Sequence, residues 1–201
     1  MNGFRTILSV LVVAGTIATP LLLAAQSPLL AWRDPVYIVA GFAGIIAMAF
    51  LLIQPLLAAG LFPGLHLFAG RRVHRVTGAG LVLAVVIHVG GLWITSPPDV
   101  VDALLFTSPT PFSAWGVIAM WAMFGAAGLA LGRRHLRLRL WRLGHTLLVV
   151  VVVVGSVIHA MLIEGAMETI SKSALCLLVL LGTAKAVSDL RAWSGRGPTA
   201  R

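Results

Sequence analysis

An all-α integral membrane bundle of six transmembrane helices is the fold class this sequence predicts, on three observations. Hydrophobic residues make up 59% of the 201 positions and charged residues only 10%. Six apolar runs approach the roughly 20 residues that a helix needs to cross the hydrocarbon of a bilayer. The arginines lie mostly in short segments flanking those runs, so the net charge of +9 reads as orientation in a membrane and not as affinity for nucleic acid.

The runs cover about 7-25, 36-60, 72-95, 112-132, 141-163 and 173-190, and the whole chain, 1-201, reads as a single transmembrane domain. The first carries Arg5 as a charged flank and Ala24-Ala25 as a weak cleavage site, but its apolar stretch is long for a signal peptide. A retained span is the reading. Pro20, Pro28, Pro35, Pro55 and Pro63 fall in or near the first two spans, where neighbouring helices tolerate a kink. Cys176, the single cysteine, sits in an apolar run and reads as packing.

Loop charge sets an expected orientation. Arg71, Arg72 and Arg75 follow the second span, Arg133, Arg134, Arg137, Arg139 and Arg142 the fourth, and Arg191, Arg196 and Arg201 the sixth. Asp99 and Asp102 follow the third, Glu164 and Glu168 the fifth. The positive-inside rule then puts both termini in the cytoplasm of a multi-pass protein of the inner or plasma membrane. Trp32, Trp93 and Trp115 would mark the outer interface, Trp141 and Trp193 the inner one.

This topology runs the third and fifth spans in the same direction, and each carries two histidines 14 positions apart: His74 and His88, then His145 and His159. At about 100° per residue that spacing brings both members of a pair to one helix face, roughly 21 Å apart along the axis. His74 and His145 begin their helices at the cytoplasmic side, and His88 and His159 lie near the outer ends. Two stacked histidine pairs at matched depths are the geometry for two hemes, His74 with His145 at the inner level and His88 with His159 at the outer. The competing reading is a hydrogen-bonded or proton-conducting histidine cluster.

Other residues are weaker candidates. Gly78, four after His74, and Gly155, four before His159, would relieve crowding of a flat porphyrin, or serve ordinary helix packing. Arg71, Arg72 and Arg75 are candidates to pair with heme propionates. The basic loop with Arg133, Arg134, Arg137 and Arg139 is a candidate docking surface for an acidic partner. Topology alone also accounts for both groups. His66 and His135 fall outside the paired pattern. The Ser, Thr and Pro-rich segment 96-111 reads as a plain connector, with an outer vestibule as the alternative.

The stretch Gly70-Arg71-Arg72-Val73-His74-Arg75-Val76-Thr77-Gly78 with His88-Val89, followed by Trp141-Arg142-Leu143-Gly144-His145 and Val157-Ile158-His159-Ala160, resembles the ferric reductase-like transmembrane domain. That family includes ferric reductases, NADPH oxidases and the heme-binding subunit of the periplasmic methionine sulfoxide reductase system. The resemblance covers about residues 36-190, and the heme-binding core falls in 70-163. It implies two b-type hemes held by the third and fifth spans, His74 with His145 and His88 with His159. The methionine sulfoxide subunit usually has a basic residue where this chain has His74, so a complete second pair favours the reductase or oxidase kind.

The expected function is transmembrane electron transfer from a cytoplasmic flavoprotein reductase, or quinol, to an extracytoplasmic acceptor. No glycine-rich dinucleotide turn follows a strand, so neither a flavin nor a nicotinamide site is expected in this chain. The chain would be the heme subunit of an oxidoreductase with a separate flavin-bearing partner. Two imidazoles per iron leave no open coordination position, which disfavours direct binding of oxygen or substrate to the metal, and no residue is expected to be catalytic. Two alternatives stay open: a quinol-linked cytochrome b subunit of a larger dehydrogenase, and a heme-free proton-handling transporter or scaffold.

Overall fold

A computed structural model describes residues 2-62, 65 and 67-194, and among them all regular structure is helical. Seven α-helices follow in order: α1 (Asn2–Ala25), α2 (Pro35–Ala58), α3 (Leu67–Thr95), α4 (Pro97–Leu104), α5 (Pro111–Leu131), α6 (Leu138–Leu162) and α7 (Thr169–Ser194). Five of them, α2, α3, α5, α6 and α7, are long and apolar enough to cross a membrane. The chain is by this measure a multi-pass helical membrane protein. In α1 the apolar stretch is the shorter Val10–Ala25. His66, Arg196 and Arg201, and the side chains of Arg5, Arg191 and Trp193, lie outside the described residues.

Local chemistry explains where the helices begin. Asp34 caps α2 by accepting the Val36 amide at 2.7 Å, with Pro35 behind it in the first turn, where its missing N–H costs nothing. Pro97 and Pro111 open α4 and α5 in the same manner. The helix α4 occupies part of the segment read from sequence as a plain connector; two prolines and Asp99 in its first turn start it.

Glu168 opens α7, its carboxylate accepting the amides of Ile170 and Ser171, each at 2.7 Å. Those two hydrogen bonds favour the charged form and hold its pKa below the ordinary glutamate value. A depressed folded pKa contributes stability that is complete above the unfolded value and is lost as pH falls through the folded one. Protection of the Ile170 and Ser171 amides, taken relative to the intrinsic exchange rate at each pH, should therefore fall on acidification through that window. In Glu168→Gln the protection should show no such titration; an unchanged profile would contradict the capping role.

The helices pack as two antiparallel pairs, α2 with α3 and α5 with α6. The helix α7 lies against both α2 and α6, and α1 lies outside against α7 and α2. Direct contact between the pairs runs through α3 and α5, while α3 and α6 have almost no close backbone contact. The core between them is apolar: Met48, Leu51 and Leu52 of α2, Leu81 of α3, Met123 of α5, Val152 and Val153 of α6, and Leu175, Cys176 and Val179 of α7. Cys176 is buried there, in keeping with a packing role. Lys172 of α7 is 8% exposed and donates through Nζ to the Ile163 carbonyl at 2.8 Å, capping the end of α6.

Candidate functional site

All four paired histidines are partly withdrawn from the surface, His74 and His88 on α3, His145 and His159 on α6. The rings of His88 and His159 approach each other across the space between these helices, with centroids 6.4 Å apart and planes at 82°. His74 and His145 stand 14 positions before them, near the starts of the same two helices.

Three of the four histidines turn one nitrogen back onto the helix paired with their own. His74 Nδ1 donates to the Gln54 carbonyl at 3.1 Å and His88 Nδ1 to the Ala40 carbonyl at 2.8 Å, both on α2. His159 Nδ1 donates to the Phe112 carbonyl of α5 at 2.8 Å. A carbonyl oxygen only accepts, so in these three neutral imidazoles the proton is on Nδ1 and the lone pair on Nε2. No described group bonds Nε2 of any of the four rings. A histidine that ligates a metal through Nε2 has this arrangement, its other nitrogen fixed by a backbone carbonyl that sets the tautomer and raises ligand basicity.

The carbonyls repeat with the histidines. Ala40 and Gln54 are 14 positions apart, as are Phe112 and the residue facing His145, Ala126. Helices of equal rise running antiparallel keep the same partners level, so one spacing on α3 or α6 requires the same spacing on α2 or α5. Glycine supplies the clearance at the outer level. A Cβ on Gly44 would lie 3.0 Å from His88 Nδ1, and one on Gly116 only 2.6 Å from His159 Nδ1. At the inner level Gln54 adds a second clasp, donating through Nε2 to the His74 carbonyl at 3.2 Å and to Thr77 Oγ1 at 2.8 Å.

His145 differs from the other three. Its Nδ1 is buried without a hydrogen-bond partner among the described residues, the Ala126 carbonyl facing it outside bonding geometry. What aligns this ring is Trp141, stacked on it with centroids 5.4 Å apart and planes at 13°. Trp141 is itself fixed by its Nε1–H, which donates to the Leu129 carbonyl at 3.0 Å, and the Arg133 guanidinium lies 4.8 Å over its ring.

The accessory candidates are distributed otherwise than the sequence suggested. The space beside Gly78 is taken by Gln54, and that beside Gly155 by Ala119 and the Trp115 carbonyl, so both serve packing within a helix pair. Neither opens a gap toward the opposite pair. Arg72 and Arg75 line an open groove with Val76 and Ala79, a stripe on the side of α3 roughly opposite His74 and His88, which suits lipid headgroups rather than a group held between the histidines. Arg71 is exposed at the start of α3. Arg133, Arg134, Arg137 and Arg139 are all exposed, as is His135, and Arg133 is engaged on Trp141.

No family model matches the chain, and no curated protein or solved structure matches it either. The chain does resemble itself. Gly44-Ile45-Ile46-Ala47-Met48 of α2 recurs 72 positions on as Gly116-Val117-Ile118-Ala119-Met120 of α5. Arg71 and His74 with Val86-Ile87-His88 of α3 recur 71 positions on as Arg142 and His145 with Val157-Ile158-His159 of α6. The two helix pairs thus repeat one sequence pattern, and His88 and His159 meet across the gap between them. That repeat is the signal from which Gly44 and Gly116 are legible, and histidine spacing alone passes over it.

The donor set discriminates between kinds of metal group. Among the described residues no cluster of three or more histidines, cysteines or carboxylates is placed to hold a bare ion, which usually takes three or four protein ligands. A porphyrin supplies its own equatorial nitrogens and asks the protein only for axial ones. Two imidazoles bound through Nε2 on opposite sides of one metal stand roughly 6 Å apart between centroids, from about 2 Å for each metal–nitrogen bond and about 1 Å from each nitrogen to its ring centre. The 6.4 Å between His88 and His159 fits that separation.

Proposed function

We propose that this chain is the membrane heme subunit of an oxidoreductase of the ferric reductase-like kind. It carries electrons from a cytoplasmic flavoprotein or quinol to an extracytoplasmic acceptor, with both termini in the cytoplasm and α1 as a sixth span. The observation that carries the reading is the His88–His159 pair: two crossed rings 6.4 Å apart, each with Nδ1 bonded to a backbone carbonyl and Nε2 left free. Two b-type hemes would supply one-electron carriers at two depths, the outer on His88 and His159 and the inner on His74 and His145.

The chain's own residues orient the ligands and keep water out. The Ala40, Gln54 and Phe112 carbonyls fix three imidazoles as neutral donors, and Trp141 fixes the fourth by stacking. The apolar core around Leu81, Ala84, Val152 and Val153 sheathes the space between the two levels. The exposed Arg134, Arg137 and Arg139 offer an acidic donor protein a basic landing surface on the cytoplasmic side.

The test is the heme-to-protein ratio of the purified chain, with reduced-minus-oxidised spectra. Two low-spin hemes per chain are expected, and His74→Ala and His88→Ala should each remove one preferentially. A colourless protein from cells with ample heme would overturn the reading in favour of a heme-free scaffold. Retention of both hemes by either variant would overturn the pairing.

A further inference from the structure

We propose that Gly116, and to a smaller degree Gly44, are positioning residues that hold the outer imidazoles crossed and pressed against their carbonyls. The inference rests on the heme reading above and adds to it what sets the ring planes.

The two glycines occupy the same place in the two repeats of the pattern, each four residues after the carbonyl that receives its histidine. A methyl group on Gly116 would lie 2.6 Å from His159 Nδ1 and 2.7 Å from its Cε1, closer than atoms approach without something moving. On Gly44 the corresponding distances to His88 are 3.0 and 3.2 Å, a tight contact that a small displacement relieves. The atom that meets the added methyl is the ring itself, so substitution turns or pushes the imidazole off its carbonyl. Phe112 limits the escape, because its ring already stands edge-on to His159 with centroids 5.8 Å apart.

The angle between axial imidazoles has a direct physical readout. When the planes are crossed, each ring's π orbital mixes with a different metal d orbital, and the two d orbitals stay nearly equal in energy. The low-spin ferric signal in electron paramagnetic resonance is then strongly anisotropic. Rotating one ring toward the other splits the pair and compresses the signal. With a heme held by these two rings, the 82° between His88 and His159 would put the outer site at the crossed extreme.

The experiment compares the full-length, heme-loaded chain with Gly116→Ala, Gly44→Ala and two controls by paramagnetic resonance and potentiometric titration. Gly41→Ala on α2 and Gly128→Ala on α5 are the controls, since a Cβ at either meets nothing within 4 Å. Gly116→Ala should shift the outer heme's signal to lower anisotropy and move its midpoint potential, with Gly44→Ala shifting it less and the controls superimposing on the parent. The inner signal should be the same in all, which reports a folded chain. An outer signal unmoved in Gly116→Ala overturns the inference while leaving the heme assignment intact. If Gly116→Ala does not assemble, an unmoved signal in Gly44→Ala overturns it equally. A parent chain that binds no heme overturns both.

Discussion

Proteoliposomes carrying His159→Ala should lose electron transfer from an external reductant to a trapped oxidant, while the protein keeps one heme. Removing this side chain deletes the free Nε2, the Nδ1 bond to Phe112 and the ring that stands 6.4 Å from His88. Loss of a mere supporting partner around a metal lowers affinity by about 10- to 100-fold, so loss of the ligand itself should weaken the outer site by more than about 100-fold. His74, His145 and Trp141 do not touch His159, and the inner spectrum should persist. An undiminished transfer rate in this variant would show that the outer pair is not on the path. The measurement separates the proposed role from a quinol-linked one as well, because a subunit that only accepts electrons at the inner side would retain quinol-dependent reduction of its remaining heme.

Gly91→Ala should destabilise the protein by about 1 to 3 kcal/mol, the usual cost of overpacking a well-filled contact. A Cβ there would lie 2.8 Å from the Ala40 Cβ and 3.3 Å from the Val36 carbonyl, with no flexible side-chain end to yield. The strain falls on α2 at Ala40, whose carbonyl holds His88. The same substitution should therefore loosen the outer heme along with the fold. Its neighbour is the control. Gly90→Ala places its methyl in open space and should leave stability unchanged or raise it by up to about 1 kcal/mol, the helix-propensity gain of Ala over Gly. Thermal unfolding in one detergent, followed at both the helix and heme bands, checks the pair; equal midpoints for the two variants would remove the close α2–α3 contact as an explanation.

The fold was legible in the sequence wherever hydropathy governs it. The run read as 36-60 is helical over Pro35–Ala58, and that read as 141-163 over Leu138–Leu162. The boundaries differ where a helix outlasts its apolar stretch. The helix α3 begins at Leu67 and not near 72, because Arg71 and Arg72 continue the backbone hydrogen bonding outside the hydrocarbon, and α7 runs to Ser194 for the same reason. In the candidate site, histidine spacing indicates which residues share a helix face, but not which neighbour each ring turns toward. The acceptors at Ala40, Gln54 and Phe112 are backbone carbonyls, which leave no mark in residue identity. Gly78 and Gly155 illustrate the same gap: their places relative to the histidines were readable, whereas the helix that fills the space beside them was not.

Every carbonyl bonded to an imidazole belongs to that histidine's own hairpin, and α7 touches both hairpins. Aim is thus set by contacts inside each half, and the packing of one half on the other sets the width of the slot. A cofactor that bridges the slot would act as a rivet between two prefabricated jaws. Loading would then add to the α3–α5 contact, the shared core and α7, which already hold the jaws in register.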